Sequence, residues 1–81
     1  PHKKASYDLP KPDSIRDGLG KKIREKREAF NISQIELAQA LGKKSAAYIA
    51  FIESGQRNIS AAELVRLAFF FRISLSFFNP Q

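Results

Sequence analysis

Two Ser-x-x-Glu boxes constrain this 81-residue chain more than any other feature. Ser33-Gln34-Ile35-Glu36 and Ser60-Ala61-Ala62-Glu63 each stand immediately ahead of an apolar repeat of helical period. In such a box the Ser hydroxyl accepts from the third backbone N–H and the Glu reaches back to the cap residue, satisfying donors that a helix start otherwise leaves orphaned. The first box predicts a helix over about Gln34–Leu41, with Ile35, Ala38 and Leu41 as its buried stripe and Leu37 beside it. Gly42 ends it with the positive φ that a tight turn needs. The second box predicts a helix over about Ala61–Phe71, with Leu64, Leu67, Ala68 and Phe71 inward.

Three further helices follow from the same signals. Leu19, Ile23 and Phe30 recur on one face of a helix from about Leu19 to Phe30, capped by Asp17 or Gly18 and closed by Asn31 in the left-handed conformation. Ser45 caps a helix over Ala46–Ser54, with Tyr48, Ile49 and Ile52 inward and Gly55 at its end. Ser74 caps a short fifth helix, Leu75–Phe78. No segment alternates cleanly enough to read as a strand, so the expected fold is all-α, a five-helix bundle. Residues 1–17, broken by Pro1, Pro10 and Pro12, read as a flexible arm. That arm is either a plain leader or a basic segment that touches DNA; residues 80–81 form a tail.

Charge narrows the partners. Lys plus Arg number 14 against 8 Asp plus Glu, a formal net charge of +6. Residues 19–58 carry eight basic and four acidic side chains, so most of the excess lies mid-chain. Such a balance favours phosphate or an anionic surface. No apolar run approaches the ~20 residues of a spanning helix, and His2-Lys3-Lys4 is not followed by a signal-peptide core. The expectation is a cytoplasmic protein with no membrane partner. With no Cys, disulfides, thiolate metal sites and a cysteine nucleophile are excluded. The only His is His2, and Asp8, Asp13 and Asp17 are irregularly spaced. No catalytic or metal-binding constellation emerges, so an enzyme, a cofactor and a small-molecule ligand are not expected.

Physical reasons for the middle of the chain can be given directly. Ala38 is small where one helix must cross the next closely. Ile35, Leu41, Ile49 and Ile52 would fill the space between the two helices, leaving the outer face of the second one free. Phe69, Phe70 and Phe71 are consecutive and spread over about 200° of helix surface, so they cannot share one core. With Phe77 and Phe78 they exceed what a small domain buries comfortably, which points to a self-association surface.

The residues then fall into an ordered set. It runs Leu19-Gly20-Lys21-Lys22-Ile23-Arg24 and Arg27; Ser33-Gln34, Glu36-Leu37-Ala38 and Leu41-Gly42; Tyr48-Ile49, Ile52-Glu53 and Gly55; and Arg57-Asn58, Leu64 and Leu67-Ala68. This set resembles the helix-turn-helix domain of the phage repressor and Cro family, the Xre-like regulators. The resemblance spans about residues 19–78, within a domain taken as 18–79, with the helix-turn-helix at about 33–54.

It implies a transcription regulator on double-stranded DNA, in the simplest case a repressor, with helix 45–54 in the major groove. Gln34, Lys43, Lys44, Ser45, Ala46, Ala47, Ala50, Phe51, Arg57 and Asn58 would lie at the DNA. Arg27 and Glu53 would form a structural ion pair, and a homodimer would assemble through Phe70, Phe77 and Phe78. Two features depart from the family pattern. Ten residues separate Gly42 from Glu53, one more than is common, and the extra residue falls at Lys43-Lys44. The base-reading positions map to Ala46, Ala47, Ala50 and Phe51, which offer no bidentate hydrogen bonds. A protein-interaction module on the same fold and a nonspecific DNA-binding protein therefore remain as alternatives.

Overall fold

The structure, a computed structural model, describes residues 8–79. The arm before residue 8 and the tail at 80–81 lie outside the described residues. Four α-helices and one 3-10 turn follow in order: α1 Pro12–Ala29, α2 Gln34–Ala40, α3 Ala46–Glu53, α4 Ala61–Phe71, then the turn Leu75–Phe78. No strand occurs among the described residues. The expected fifth helix is thus a single 3-10 turn, with the Ser74 hydroxyl accepting from the Ser76 N–H.

Helix α1 begins well before Leu19, so residues 12–17 are helix and not arm. Pro12 sits at the first helical position, where a proline's missing N–H would have had no partner anyway and its fixed φ suits the helix. Lys11 precedes it in extended conformation, and neither Asp17 nor Gly18 is the cap. Ile15, four residues before Leu19, carries the apolar stripe back to this start.

All four α-helices end the same way. The N–H of the third residue past the end, or the second in α4, bonds back to a carbonyl five residues earlier, at Ile32→Arg27 3.3 Å, Lys43→Ala38 2.9 Å, Gln56→Phe51 2.9 Å and Ile73→Ala68 3.0 Å. This closure requires a left-handed residue in between. Those residues are Asn31, Gly42, Gly55 and Arg72, with φ of 58°, 79°, 81° and 57°.

The core gathers Ile23, Leu37, Ala38, Leu41, Ile49, Ile52, Leu67, Ala68, Phe71 and Phe78. Helix α2 packs on α3, and α1 crosses α3. The stripe expected on α2 is rotated: Leu37 is fully buried, and Ile35 is exposed. Leu37 and not Ile35 therefore fills the space between the two helices.

The α1–α3 crossing is set by Gly20. A Cβ there would stand 2.5 Å from the Ile52 carbonyl oxygen and 2.6 Å from that of Glu53. At Gly18 the same atom would meet nothing within 4 Å. Both glycines lie inside α1, where alanine is the better helix former by about 1 kcal/mol. Gly18→Ala is therefore expected to raise stability by up to that amount. Gly20→Ala should lower it by about 1–3 kcal/mol, because α1 is forced off α3. Chemical denaturation of the two variants checks the opposite signs.

Candidate nucleic-acid interface

The interface is built outward from a buried ion pair. Arg27 donates from Nε to Glu53 Oε2 at 2.6 Å and from Nη2 to Oε1 at 3.1 Å. Its third arm, Nη1, donates to the Ile32 carbonyl at 2.9 Å. The two side chains are 11% and 5% exposed. The hydrogen bond to Glu53 raises the Arg27 pKa, with the Glu53 and Glu28 charges acting in the same sense against burial. One forked cation thus ties the last turn of α1, the α1–α2 turn and the end of α3 together.

Gln34 joins this pair. Its amide nitrogen donates to Glu53 Oε1 at 3.0 Å, so the first residue of α2 is latched to the last residue of α3. The expectation for Gln34 was a DNA contact. The structure assigns one amide hydrogen to Glu53 and leaves the second for another acceptor. The Ser33 box just before it is complete: Glu36 N–H donates to Ser33 Oγ at 3.1 Å and Ser33 N–H to Glu36 Oε1 at 2.7 Å. Accepting from the Ser33 backbone lowers the Glu36 pKa.

The second box is only half formed. Glu63 N–H donates to Ser60 Oγ at 3.1 Å, but the carboxylate turns away to Lys43 at 3.1 Å and Arg66 at 2.9 Å. Arg66 Nη1 also donates to the Leu41 carbonyl at 3.2 Å. Burial pushes the Glu63 carboxyl up, but Lys43 and Arg66 outweigh it and the pKa falls. This cluster pins the lengthened turn between α2 and α3 onto α4.

Lys43 and Arg57 also both lie over the Tyr48 ring, at 4.8 Å and 4.9 Å from its centroid. Tyr48 was legible as an inward residue of α3, but its service as a platform for two cations was not. Nothing local signals it, because the cations come from the turns on either side of the helix.

The outer face of α3 carries Ala46, Ala47, Ala50 and Phe51, with Phe51 46% exposed. Ser45 caps the helix, its Oγ accepting from the Ala47 N–H at 3.0 Å. Lys44 and Arg57 flank this face, exposed and outside every ion pair among the described residues. Asn58 accepts from Arg16 Nη1 at 3.2 Å, so the front of α1 holds the loop after α3. Not all of the mid-chain charge gathers here. Lys22 donates to the Asn79 carbonyl at 2.6 Å, and Lys22 and Lys26 both lie over Phe77.

With that geometry, residues 23–78 match the helix-turn-helix family. The chain belongs to the Xre-like helix-turn-helix family. As a member it is a DNA-binding transcription regulator. Its fold is similar to that of the restriction-modification controller protein C.AhdI from Aeromonas hydrophila, at 32% identity and a TM-score of 0.69, covering 78% of this chain and 94% of that one. It is also similar to a hypothetical transcription factor, NHTF, from Neisseria, at 23% identity and a TM-score of 0.72, covering 93% of this chain and 85% of that one. No curated protein matches the chain significantly. Among the described residues no helix is long and apolar enough to cross a membrane.

The C-terminal aromatics separate into two groups. Phe78 is 4% exposed and belongs to the core, so it is closed to any partner of the folded chain. Phe77 is half-buried against it, ring centroids 5.5 Å apart. Phe70, 38% exposed, rests on Phe30 and Phe71. Phe69, one of the aromatics that point to self-association, is 80% exposed and lines a groove with Val65, Ile73 and Leu75.

Proposed function

We propose that the chain is a homodimeric repressor that inserts α3 into the major groove of its operator. The observation that carries this reading is the outward face of α3, held rigidly from behind by Arg27, Glu53 and Gln34 and flanked by the exposed cations Lys44 and Arg57. A rigid helix between cations suits a groove about 12 Å wide bordered by phosphates. Lys44, Arg57, Asn58 and the free amide hydrogen of Gln34 contact the backbone, and Ser45, Ala46, Ala47, Ala50 and Phe51 meet the bases. Lys43 contributes less than the resemblance implies, since its ammonium is already held by Glu63. The similarity to a controller protein supports a regulatory role. The cytoplasm is the setting in which such a protein meets DNA.

Selection of duplexes from a random pool, followed by titration at several salt concentrations, tests the reading. Each phosphate contact adds about −0.9 to the slope of log affinity against log salt. Lys44→Ala and Arg57→Ala are each expected to reduce that slope by about one, weakening all sequences alike. Lys43→Ala should reduce it by clearly less. A slope unchanged by Lys44→Ala would remove Lys44 from the backbone contacts.

For the dimer interface we propose the groove of Val65, Phe69 and Leu75, since Phe78 is buried in the core. Exposed aromatic surface of this kind is costly in water, and a two-fold pair would set two recognition helices about 34 Å apart. Phe69→Ser is expected to give a folded monomer whose melting no longer depends on protein concentration, with weaker operator binding. Sedimentation showing the unmutated chain monomeric at high micromolar concentration would overturn the dimer.

A further inference from the structure

The outward arc of α3 carries only carbon. At about 100° per residue, Ala46, Ala47, Ala50 and Phe51 fall within an arc of about 140°, with Ile49 and Ile52 on the opposite side. Two hydroxyls stand at the ends of the helix, outside that set: Ser45 Oγ accepts from the Ala47 N–H at 3.0 Å and keeps its own hydrogen, and Ser54 Oγ donates to the Phe51 carbonyl at 3.2 Å. Phe51 is 46% exposed, a large apolar surface at one edge of that arc. Charge brings this face to a polyanion, since Lys44 and Arg57 stand on either side of it.

We infer that α3 selects its operator by the 5-methyl groups of thymine. This deepens the DNA-binding reading above and rests on it. The thymine methyl is the one apolar group that the four bases present in the major groove. Placed against Ala46, Ala47, Ala50 or Phe51, it buries carbon on carbon. The polar edges of A·T and G·C pairs alike would lose water against this face and gain no partner, so only the methyl separates them. Discrimination therefore comes from methyl burial, which a G·C pair cannot offer.

Deoxyuridine provides the test, because it keeps every hydrogen-bonding group of thymine and deletes only the methyl. A duplex selected by the full chain from a random pool is resynthesised with uracil at one thymine at a time, and affinity is read by fluorescence anisotropy at fixed salt. Each contacted methyl is expected to weaken binding about fourfold, the factor equivalent to ~0.8 kcal/mol for one buried carbon. At a contacted T·A pair changed to C·G, 5-methylcytosine should bind more tightly than cytosine. Phe51→Ala should flatten the uracil penalty at one position in each half-site while leaving melting unchanged. If the selected duplex binds specifically and uracil changes affinity at no position, methyl reading is wrong and the DNA-binding reading stands. If no duplex binds above the random pool, specific operator binding fails and this inference falls with it.

Discussion

Arg27→Ala is expected to destabilise the domain by about 3 kcal/mol. The substitution leaves the Glu53 carboxylate, only 5% exposed, with a single neutral donor from Gln34. It also strips the Ile32 carbonyl of its partner. An exposed ion pair contributes less than ~1 kcal/mol, but removing one member of a buried pair leaves a charge that neither water nor protein satisfies. For a domain of this size the loss corresponds to a fall in melting temperature of about 12–24 °C. Replacing both members with apolar residues of similar volume, Arg27→Met with Glu53→Leu, should cost far less than the two single changes added together. A loss below ~0.5 kcal/mol for Arg27→Ala would mean that the pair is solvated in solution.

How much of this architecture is legible in the sequence depends on how local its cause is. Asn31, Gly42 and Gly55 are residue types that tolerate a left-handed backbone, and each ends a helix where the sequence places an end. Arg72 does the same work with no such signal. The chain must turn there so that Ile73 packs against the core, and tertiary packing overrides the residue's own preference. Pro12 breaks a helix interior but starts a helix at its first position, so the same residue supports two opposite readings. Ile15 alone would have decided between them.

Packing orientation is less accessible. On α2, Ala38 and Leu41 can share a stripe with either Ile35 or Leu37, and which is buried depends on where α3 crosses. The half-formed box at Ser60 shows the same limit. Its hydroxyl bond is local and forms, whereas the Glu63 carboxylate is drawn away by Lys43 and Arg66, one of them distant in sequence. At the candidate interface the resemblance located Arg27 with Glu53 correctly. It missed that Gln34 completes the pair and that Phe78 belongs to the core.

Ala47→Glu is expected to weaken operator binding by more than about 100-fold while leaving the fold at least as stable. Ala47 is exposed in the first turn of α3, its backbone N–H held by Ser45. A carboxylate near a helix N-terminus faces unsatisfied N–H groups and is stabilising by about 0.3–1 kcal/mol. Melting should therefore stay level or rise slightly. Toward DNA the same charge is repelled by phosphates and intrudes where only a methyl-sized side chain fits. Like charges forced together across an interface cost several kcal/mol, and ~2.8 kcal/mol already corresponds to 100-fold. Ala47→Lys separates the two contributions, because its added charge attracts phosphate while its bulk still clashes. Specific affinity should fall, and nonspecific affinity should rise with a steeper salt slope. The decisive result is the pairing of the two readouts for Ala47→Glu. Unchanged affinity together with undiminished melting would place the outer face of α3 away from DNA and turn the apolar surface around Phe51 toward a protein partner.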